Sequence, residues 1–517
     1  MANTQLFQSL RGKFLLPATA KNFAGAPAYA LSPKHQLAQY AATGCLNSTF
    51  YAGAQVQLAT LIELCAKVDP AFVAKTAIYC RERGYMKDTP ALLAAALTVT
   101  GPAYLPRVFE RVITNGKMLR NFVQILRSGA VGRKSLGTRP KKLVQQWLNS
   151  ASEKALLSAA VGNTPSLADV VKMVHPKPAE AWREAFFAWL IGKPFDEAQL
   201  PPLTRAFEVY KRDRTAALPD VPFQMLTALE LDAQAWAVIA EQANWQMVRM
   251  NLNTFARHGV FEIDGMTPKI AAKLRDAEAI AKAQVFPYQL LTAYQAAGDA
   301  VPLAVREALQ DALEIALCNV PALEGRVVVC PDVSGSMASP VTGQRGSATT
   351  AVRCIDVAGL VAAAVLRKNP QALVLPFAVD VVPLQLNTRD TVLTNAQKLA
   401  AVGGGGTNCS APLAKLNREK ARADLVVFVS DNESWVDATR QGATAMLREW
   451  AAFKQRNPQA KLVCMDIQPH GTTQAAERED ILNIGGFSDE VFKIIAAFAA
   501  GQLQAAHWVG MIEAITL

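Results

Sequence analysis

The chain has 517 residues, more than one hydrophobic core usually supports, because single cores stop growing at roughly 250 to 300 residues. Its composition, 51% hydrophobic and 19% charged, excludes a wholly disordered or collagen-like chain. No apolar run reaches the roughly 18 residues that a membrane helix needs, and no signal-peptide pattern opens the chain. We therefore expect at least two domains, no membrane association and a cytoplasmic location.

The formal net charge of +10 comes entirely from the first part of the chain. Residues 1–320 hold 35 basic and 25 acidic residues, whereas residues 321–517 hold 18 of each. Residues 101–150 carry a single acid, Glu110, among ten bases. A solvated helix face normally interleaves both signs, so this stretch predicts a surface that binds a polyanion. The ten bases are Arg107, Arg111, Lys117, Arg120, Arg127, Arg133, Lys134, Arg139, Lys141 and Lys142.

Up to about residue 320, apolar residues recur at the i, i+3, i+4 spacing of helices, and short turns with Gly, Pro or Asp separate the helical segments. Similar segment lengths and repeated apolar faces predict stacked antiparallel helix pairs, as in a HEAT-like α-solenoid. Five such segments follow one another at 54–69, 70–84, 90–101, 105–116 and 117–129.

Near residue 320 the pattern changes to short β-branched runs that alternate with helical stretches. Strands that alternate with helices predict a parallel sheet covered on both faces. We therefore expect an all-α domain over residues 1–320 and a doubly wound, Rossmann-like α/β domain over residues 321–517. The strand-like runs lie at 325–334, 371–379, 423–431 and 460–468, and two of the helical stretches between them lie at 350–368 and 443–456.

Two of these predicted strands end in acids, Asp332 and Asp431, and open α/β sheets bind ligands at the carboxyl ends of their strands. Asp332 opens an Asp-Val-Ser-Gly-Ser turn that also presents Ser334 and Ser336, and a run of four glycines precedes Thr407. These side chains offer only hard oxygen ligands. They predict a divalent-cation site for Mg²⁺, with Mn²⁺ or Ca²⁺ as alternatives and one coordination position open.

This arrangement resembles the metal-ion-dependent adhesion site of von Willebrand factor A domains, and the resemblance covers about residues 321–517. In that family the two serines and the threonine bind the cation directly or through water, and the acids act largely from outside the inner coordination sphere. The resemblance therefore implies a carboxylate-bearing protein ligand at the open position. A phosphotransferase is disfavoured, because Ser334 stands where an Asp-x-Asp enzyme places its second carboxylate.

The helical part, placed before such a domain, resembles the Ro (TROVE) ribonucleoproteins. That family implies a monomeric ring of HEAT-like helical repeats followed by a von Willebrand factor A domain. It also implies a Y-like small noncoding RNA on a basic outer face, single-stranded 3′ ends of misfolded or immature RNA in the central hole, and an exoribonuclease as a further partner. The matching stretches run in family order at 22–32, 37–51, 132–148, 166–178, 247–261 and 285–294.

Residues 132–142 carry five basic side chains around a Gly-Thr turn and are the first candidates for phosphate contact. His175 and Lys177 lie in a His-Pro-Lys run that also matches the family. For His175, RNA contact and burial in the core remain alternatives. One departure affects RNA recognition: many relatives have Ser-His where this chain has Ser166 and Leu167.

The leading hypothesis is a non-catalytic RNA-binding protein of noncoding-RNA quality control or maturation, because no nucleophile and base occur at a recognisable spacing. The alternative is a metal-dependent protein-interaction or co-chaperone scaffold whose helical half binds protein. A steep salt dependence of RNA affinity would separate the two hypotheses.

Overall fold

A computed structural model of the chain describes residues 15–44, 46–49, 51–283, 285, 287–341, 352–436, 442–503 and 507–517. The chain forms two compact units. The sheet unit comprises Met1–Ala59, Gln284–Ala296 and Gln310–Met511, and the helical unit comprises Thr60–Ala283, Ala297–Leu309 and Ile512–Leu517. Among the described residues, no helix has both the length and the hydropathy needed to cross a membrane.

The helices are numbered in chain order. They are α1 (Pro33–Thr43), α2 (Ala54–Lys67), α3 (Pro70–Glu82), α4 (Asp88–Thr100), α5 (Leu105–Val112), α6 (Gly116–Arg127), α7 (Thr138–Ser150), α8 (Glu153–Ala160), α9 (Leu167–Val174), α10 (Ala181–Ile191), α11 (Pro202–Arg212), α12 (Phe223–Leu226), α13 (Ala233–Gln242), α14 (Trp245–Met250), α15 (Leu252–Arg257), α16 (Met266–Leu274), α17 (Ala277–Ala283), α18 (Pro287–Ala296), α19 (Leu303–Ala316), α20 (Cys354–Lys368), α21 (Val392–Ala400), α22 (Ala411–Arg418), α23 (Ala445–Arg456), α24 (Asp489–Ala499) and α25 (His507–Glu513).

The strands are also numbered in chain order. They are β1 (Ala20–Lys21), β2 (Pro27–Ala30), β3 (Val327–Pro331), β4 (Leu373–Val374), β5 (Leu425–Ser430), β6 (Lys461–Asp466), β7 (Thr472–Thr473) and β8 (Ile481–Gly485). Strand β8 was not among the predicted strands, because it is a short run enclosed by charged residues on one side and glycines on the other.

The helical unit confirms the five helices predicted over residues 54–129, which appear as α2 to α6. Their starts follow local capping chemistry: Asp69 caps α3 with Pro70 in its first turn, and Asn115 caps α6. Helix α3 packs on α4 and α5, α4 packs on α6, and α6 packs on α8 and α9. Contacts between helices close in sequence are typical of a solenoid, so the predicted all-α class is confirmed.

The larger sheet contains five parallel strands in the order β4-β3-β5-β6-β8. Strands β3 and β5 are buried along their whole length, as near-continuous β-branched runs predict. Helices α22 and α23 pack on the face of the sheet that carries Val328 and Phe428. Helix α20 packs against β3 and β5 on the opposite face, to which the alternate side chains of these strands point. The predicted doubly wound α/β class is confirmed.

The chain leaves β3 toward β4 on one side of the sheet and later returns to form β5 on the other side. The carboxyl ends of β3 and β5 therefore flank the switch point, where doubly wound sheets bind ligands. The register pairs Pro331 with Val429, and the backbone N–H of Asp332 donates to the Val429 carbonyl at 2.9 Å. Asp332 and Asp431 thus leave neighbouring strands at the same edge.

The sequence predicts a domain boundary at residue 320. The two observed units differ from this division, because each contains a segment from the far end of the chain. Strand β2 pairs with β7 in a small antiparallel sheet, which joins the N-terminal segment to the sheet unit. At the other end, Lys75 donates to the Glu513 carbonyl and Arg111 to the Thr516 carbonyl, which joins the last residues to the helical unit. Neither pairing has a local sequence signal.

Candidate metal centre and nucleic-acid interface

The turn after β3 brings together three of the five predicted cation ligands. Asp332 is fully buried, and its Oδ1 accepts a hydrogen bond from the Ser334 backbone N–H at 2.8 Å. The hydroxyl oxygens of Ser334 and Ser336 lie 3.2 Å apart. The Ser430 hydroxyl, which the sequence analysis did not single out, donates to Asp332 Oδ2 at 2.6 Å and fixes that carboxylate.

The glycine run carries the fourth predicted ligand, Thr407, to the same edge of the sheet. Gly405 has a φ of 80° and accepts a hydrogen bond from the Gly335 N–H at 2.9 Å, so the two loops touch. A side chain at Gly406 would collide with the indole of Trp435. Thr407 is buried, and its carbonyl accepts from the Trp435 N–H at 3.3 Å.

Asp431, the fifth predicted ligand, is also buried and lies next to this turn. Burial raises the pKa of Asp431, and a hydrogen bond from the Ser336 side chain, which ties the carboxylate to the serine turn, offsets only part of that increase. Its Oδ2 accepts from the Tyr51 hydroxyl at 3.1 Å, and its Oδ1 accepts from the Glu433 N–H at 3.4 Å. Tyr51 lies 380 positions earlier, so the sequence analysis had no signal to place it here.

Burial shapes the electrostatics of this edge. It raises the pKa of Asp332 to about 7, with a further increase from neighbouring Asp431, and it raises the pKa of Asp431. Asp466, at the end of β6, is equally buried, with its pKa raised to about 7 by burial, and accepts a hydrogen bond from Gln39. The strand-end rule applied to the run 460–468 would have found Asp466, but it was not used there.

A second buried pair lies beside these acids. Nδ1 of His470 is 3.2 Å from Glu433 Oε1, and both side chains are almost entirely buried. Burial opposes protonation of the imidazole, but the hydrogen bond to Glu433 and the surrounding carboxylates outweigh it and raise the pKa of His470. Glu433 Oε2 also accepts from the Phe23 N–H at 2.9 Å, which anchors the N-terminal segment here.

The donor set fits a hard divalent cation. Converging hydroxyl and carboxylate oxygens are the ligands that Mg²⁺ and Ca²⁺ prefer, and buried carboxyl groups with raised pKa values gain stability from a nearby positive charge. Within the described ranges, no group of three or more His, Cys, Asp or Glu side chains could hold a metal ion. The oxygen-rich turn is therefore the candidate centre, with hydroxyls as its principal donors.

The strongest candidate for anion binding in the helical unit is a pocket of about 730 Å³ between the end of α6 and the start of α7. We call it the cationic pocket. Four basic side chains line it, and none of them takes part in an ion pair within the part of the chain that the structure describes. These residues are Arg127, Lys134, Lys141 and Lys142.

The loop before α7 shapes the cationic pocket. Gly137, the N-cap of α7, has a φ of 72°, and a Cβ there would collide with the Arg133 guanidinium. Arg133 donates to the Ser135 carbonyl at 2.9 Å, and Arg139 donates to the Pro102 carbonyl at 2.5 Å. Both arginines therefore hold the loop and the helix start, which leaves the neighbouring lysines available. Gly137 and Thr138, at the start of α7, also line the pocket, and a helix start carries backbone N–H groups without intrahelical partners.

Four other predicted RNA contacts are engaged within the helical unit. Arg120 is 9% exposed and donates to the carbonyls of Val161 and Pro165. Arg111 forms a two-pronged ion pair with Glu82 and also binds the Thr516 carbonyl. The remaining two form looser exposed pairs, Arg107 with Glu110 at 3.5 Å and Lys117 with Asp88 at 3.8 Å.

His175 and Lys177 lie beside α7, because Gln145 donates to the His175 carbonyl at 3.3 Å and Asn149 donates to the Lys177 carbonyl at 3.4 Å. His175 is exposed, with a φ of 51° at the end of α9, so the alternative of a buried histidine is wrong. Leu167, where many relatives have histidine, is fully buried in the first turn of α9 and does not face solvent.

Comparison with known proteins agrees with this architecture. The model of the Ro60 vWA domain matches residues 326–499. A protein named RNA-binding protein RO60 from Deinococcus radiodurans is 26% identical over 93% of this chain and 96% of its own length. A protein of the same name from Caenorhabditis elegans is 25% identical over 45% of this chain and 37% of its own length.

A solved structure extends the likeness to the fold. The crystal structure of the Deinococcus radiodurans RO protein superimposes with a TM-score of 0.62 at 21% identity, over 91% of this chain and 100% of that one. The family resemblance read from the six ordered stretches and from the strand-end motif is thus confirmed across nearly the whole length. The chain is thus similar to the Ro (TROVE) proteins over nearly its whole length, and residues 326–499 match the model of the Ro60 vWA domain.

Proposed function

We propose that this protein binds structured RNA through the cationic pocket and the adjoining surface of α7. The observation that carries the proposal is the set of basic groups there, five exposed and Lys141 half-buried, that form no ion pair among the described residues. The names of the two relatives, both called RNA-binding proteins, support it. Catalysis is not part of the proposal. The six groups are Arg127, Lys134, Lys141, Lys142, His175 and Lys177.

The physical case rests on which cations are available. A phosphate contact requires a basic side chain that is not already neutralised, and each neutralised phosphate releases counterions. The tight pair of Arg111 with Glu82 and the burial of Arg120 remove these two from the candidates. A pocket lined by basic side chains suits an A-form backbone, which proteins recognise by shape and phosphate position.

Salt dependence tests this proposal. We expect RNA-hairpin affinity to fall with salt at a log-log slope on the order of −3 to −6. Reversal of Lys134, Lys141 and Lys142 to Glu should lower affinity by at least about 100-fold and flatten the slope by about 2 to 3, since each lost contact removes nearly one unit. The matched control reverses Lys193, Arg257 and Lys282, which are exposed cations elsewhere in the helical unit. Equal losses in both variants would contradict a localised site.

We further propose the finer activity of the family: a Y-like small noncoding RNA on the basic face, and single-stranded 3′ ends of misfolded or immature RNA in a central hole. A monomeric ring in the cytoplasm, with an exoribonuclease as partner, belongs to the same proposal. If a hole threads the RNA, 3′-tailed hairpins should bind more tightly than 5′-tailed or blunt ones. Competition assays with matched hairpins measure this, and equal affinity for all three would remove the threading step.

For the sheet unit we propose a Mg²⁺ site formed by Ser334, Ser336 and Thr407 with Asp332 and Asp431 close by, open to the carboxylate of a protein partner. The convergence of these oxygens after β3 and β5 supports it. A protein-interaction scaffold remains the second candidate function, because residues of the sheet unit alone form this site, without the cations of the helical unit. It predicts Mg²⁺-dependent protein binding without salt-sensitive RNA binding.

A further inference from the structure

The sheet unit contains a second pocket, which adjoins the strand-end acids through Tyr51, whose hydroxyl donates to Asp431. Its volume is about 280 Å³, and we call it the aromatic pocket. The rings of Phe23, Tyr40 and Tyr51 line it, together with Gln57 and His470. It includes none of the five proposed cation ligands and none of the twelve predicted RNA contacts.

Two residues that line this pocket each carry a buried polar atom that forms no hydrogen bond within the described part of the chain. Gln57 is 2% exposed; its amide nitrogen donates to the Thr49 hydroxyl at 3.0 Å, but its Oε1 is unpaired. His470 is 7% exposed, and its Nε2 is unpaired while Nδ1 faces Glu433. An unpaired buried polar atom destabilises the unbound protein, so two at one pocket indicate a polar ligand.

A rigid turn presents Phe23 to solvent at the edge of the same pocket. Its N–H donates to Glu433, and the side chain of neighbouring Asn22 donates to the Ser434 carbonyl at 2.5 Å and accepts from the Ala26 N–H at 2.8 Å. The Phe23 ring is nevertheless 70% exposed and meets Tyr51 only edge-on, with centroids 5.2 Å apart. A face of this fixed ring is therefore open for stacking.

We propose that the aromatic pocket binds one unpaired nucleotide. Its base stacks on Phe23, its edge bonds Gln57 Oε1 and His470 Nε2, and its phosphate faces Lys21, which also lines the pocket. A nucleobase combines a flat apolar face with donors and acceptors in its plane, which matches the exposed ring and the two unpaired atoms. This inference rests on the proposed RNA binding, which it extends to the second unit.

A peptide carboxamide would satisfy the same two atoms, but it is the weaker match. It would leave the exposed ring of Phe23 without a stacking partner and the Lys21 cation without an anion. A nucleotide uses both. Stacking on an aromatic side chain contributes affinity for any base, so we expect little sequence preference at this pocket.

The experiment uses the full chain and a single-stranded oligouridylate that carries one 4-thiouridine, crosslinked by light and mapped by mass spectrometry. We expect crosslinked peptides from the segment that contains Phe23 and Tyr51. Phe23→Ala should lower their yield about 10-fold, because stacking on the ring is lost. The matched control is Phe195→Ala, since Phe195 is an exposed phenylalanine of the helical unit and its loss should leave the yield unchanged.

Two further measurements separate the outcomes. Adenosine 5′-monophosphate is titrated as a competitor of the oligouridylate crosslink. A lower crosslink yield would show that a free nucleotide can fill the pocket, whereas an unchanged yield would assign the pocket to an RNA end. A hairpin without a tail is bound in parallel: normal hairpin affinity with no effect of Phe23→Ala would overturn the pocket and leave the cationic surface intact. Loss of both signals would overturn RNA binding altogether. Displacement of the oligouridylate by the peptide acetyl-Gly-Asn-Gly-amide but not by the monophosphate would assign the pocket to protein.

Discussion

The cations of the helical unit and the carboxyl groups of the sheet unit have opposite environments. Around the cationic pocket, the basic side chains are exposed or half-buried, so they remain in contact with solvent. At the strand ends, Asp332, Asp431 and Asp466 are almost wholly buried, and burial raises their pKa values. The positive charge of the helical unit therefore lies in contact with solvent. The negative charge of the sheet unit is buried, and ionising its carboxyl groups costs free energy.

This difference shows why net charge locates only one of the two candidate sites. The excess of basic residues in 101–150 is visible in composition because solvated charges need no compensation. Residues 321–517 are formally neutral, yet β3, β5 and β6 bring three of their acids to one edge of the sheet. If the comparison is right, perturbations of the two sites should have separate consequences, one on RNA affinity and one on cation binding and stability.

The largest expected effect separates the two units. Asp332→Ala should abolish Mn²⁺ or Mg²⁺ binding, measured by calorimetry or by electron paramagnetic resonance of Mn²⁺, because it removes the acid that orients the serine turn. Hairpin RNA affinity should stay within about twofold. Glu479→Ala, which removes an exposed acid of the same unit, serves as the control for lost negative charge. A parallel loss of RNA binding in a folded Asp332→Ala protein would refute the separation.

The second largest effect should distinguish two arginines of α6: Arg120, which stabilises the fold, and Arg127, which lines the cationic pocket. Arg120→Ala should lower the free energy of unfolding by about 2 to 3 kcal/mol, because two buried carbonyls lose charged donors. Its RNA affinity should be unchanged below the unfolding temperature. Arg127→Ala should do the reverse, with stability within about 0.5 kcal/mol of wild type and weaker RNA binding. Denaturant titration and binding assays on both variants check this crossed pattern.

A smaller effect follows from the buried acids. Burial raises the pKa of Asp466 to about 7, above its value in the unfolded chain, so the folded state retains a proton that the unfolded state has lost. Stability without divalent cations should therefore fall as pH rises from about 4 to 7. Asp466→Asn should reduce this fall by on the order of 1 to 3 kcal/mol, since one pKa unit corresponds to about 1.4 kcal/mol.

Urea titrations in chelator at pH 5.5 and pH 8 measure this slope. Glu479→Gln provides the control, because an exposed acid carries no burial penalty. A fall in stability that Asp466→Asn leaves unchanged would assign it to other groups, such as Glu477, whose pKa burial also raises to about 7.

The smallest effect concerns the paired surface cation Arg111. Arg111→Ala should change the free energy of unfolding by less than about 1 kcal/mol, as is usual for exposed ion pairs. It should leave hairpin affinity unchanged, whereas Lys141→Ala should weaken binding several-fold. Equal weakening by both variants would show that the pair with Glu82 opens when RNA binds.

Local chemistry predicted the elements well. Helices α2 to α6 follow from apolar spacing and capping residues, and β3 and β5 follow from β-branched runs, because both signals act within a few residues. The five proposed cation ligands could be brought to one edge from the sequence for the same reason, since the position after a parallel strand fixes that edge. The third strand-end acid, Asp466, was within reach of the same rule.

Long-range contacts decided the rest. The sequence by itself determined the two fold classes, the strand-end oxygens and the basic stretch, because periodicity, turn chemistry and charge are local properties. Only the tertiary structure decided which cations remain available, since Arg111 and Arg120 are neutralised or buried by residues far along the chain. It also decided that Tyr51 and Phe23 meet the acids after β5, because pairing between distant segments depends on how whole elements pack.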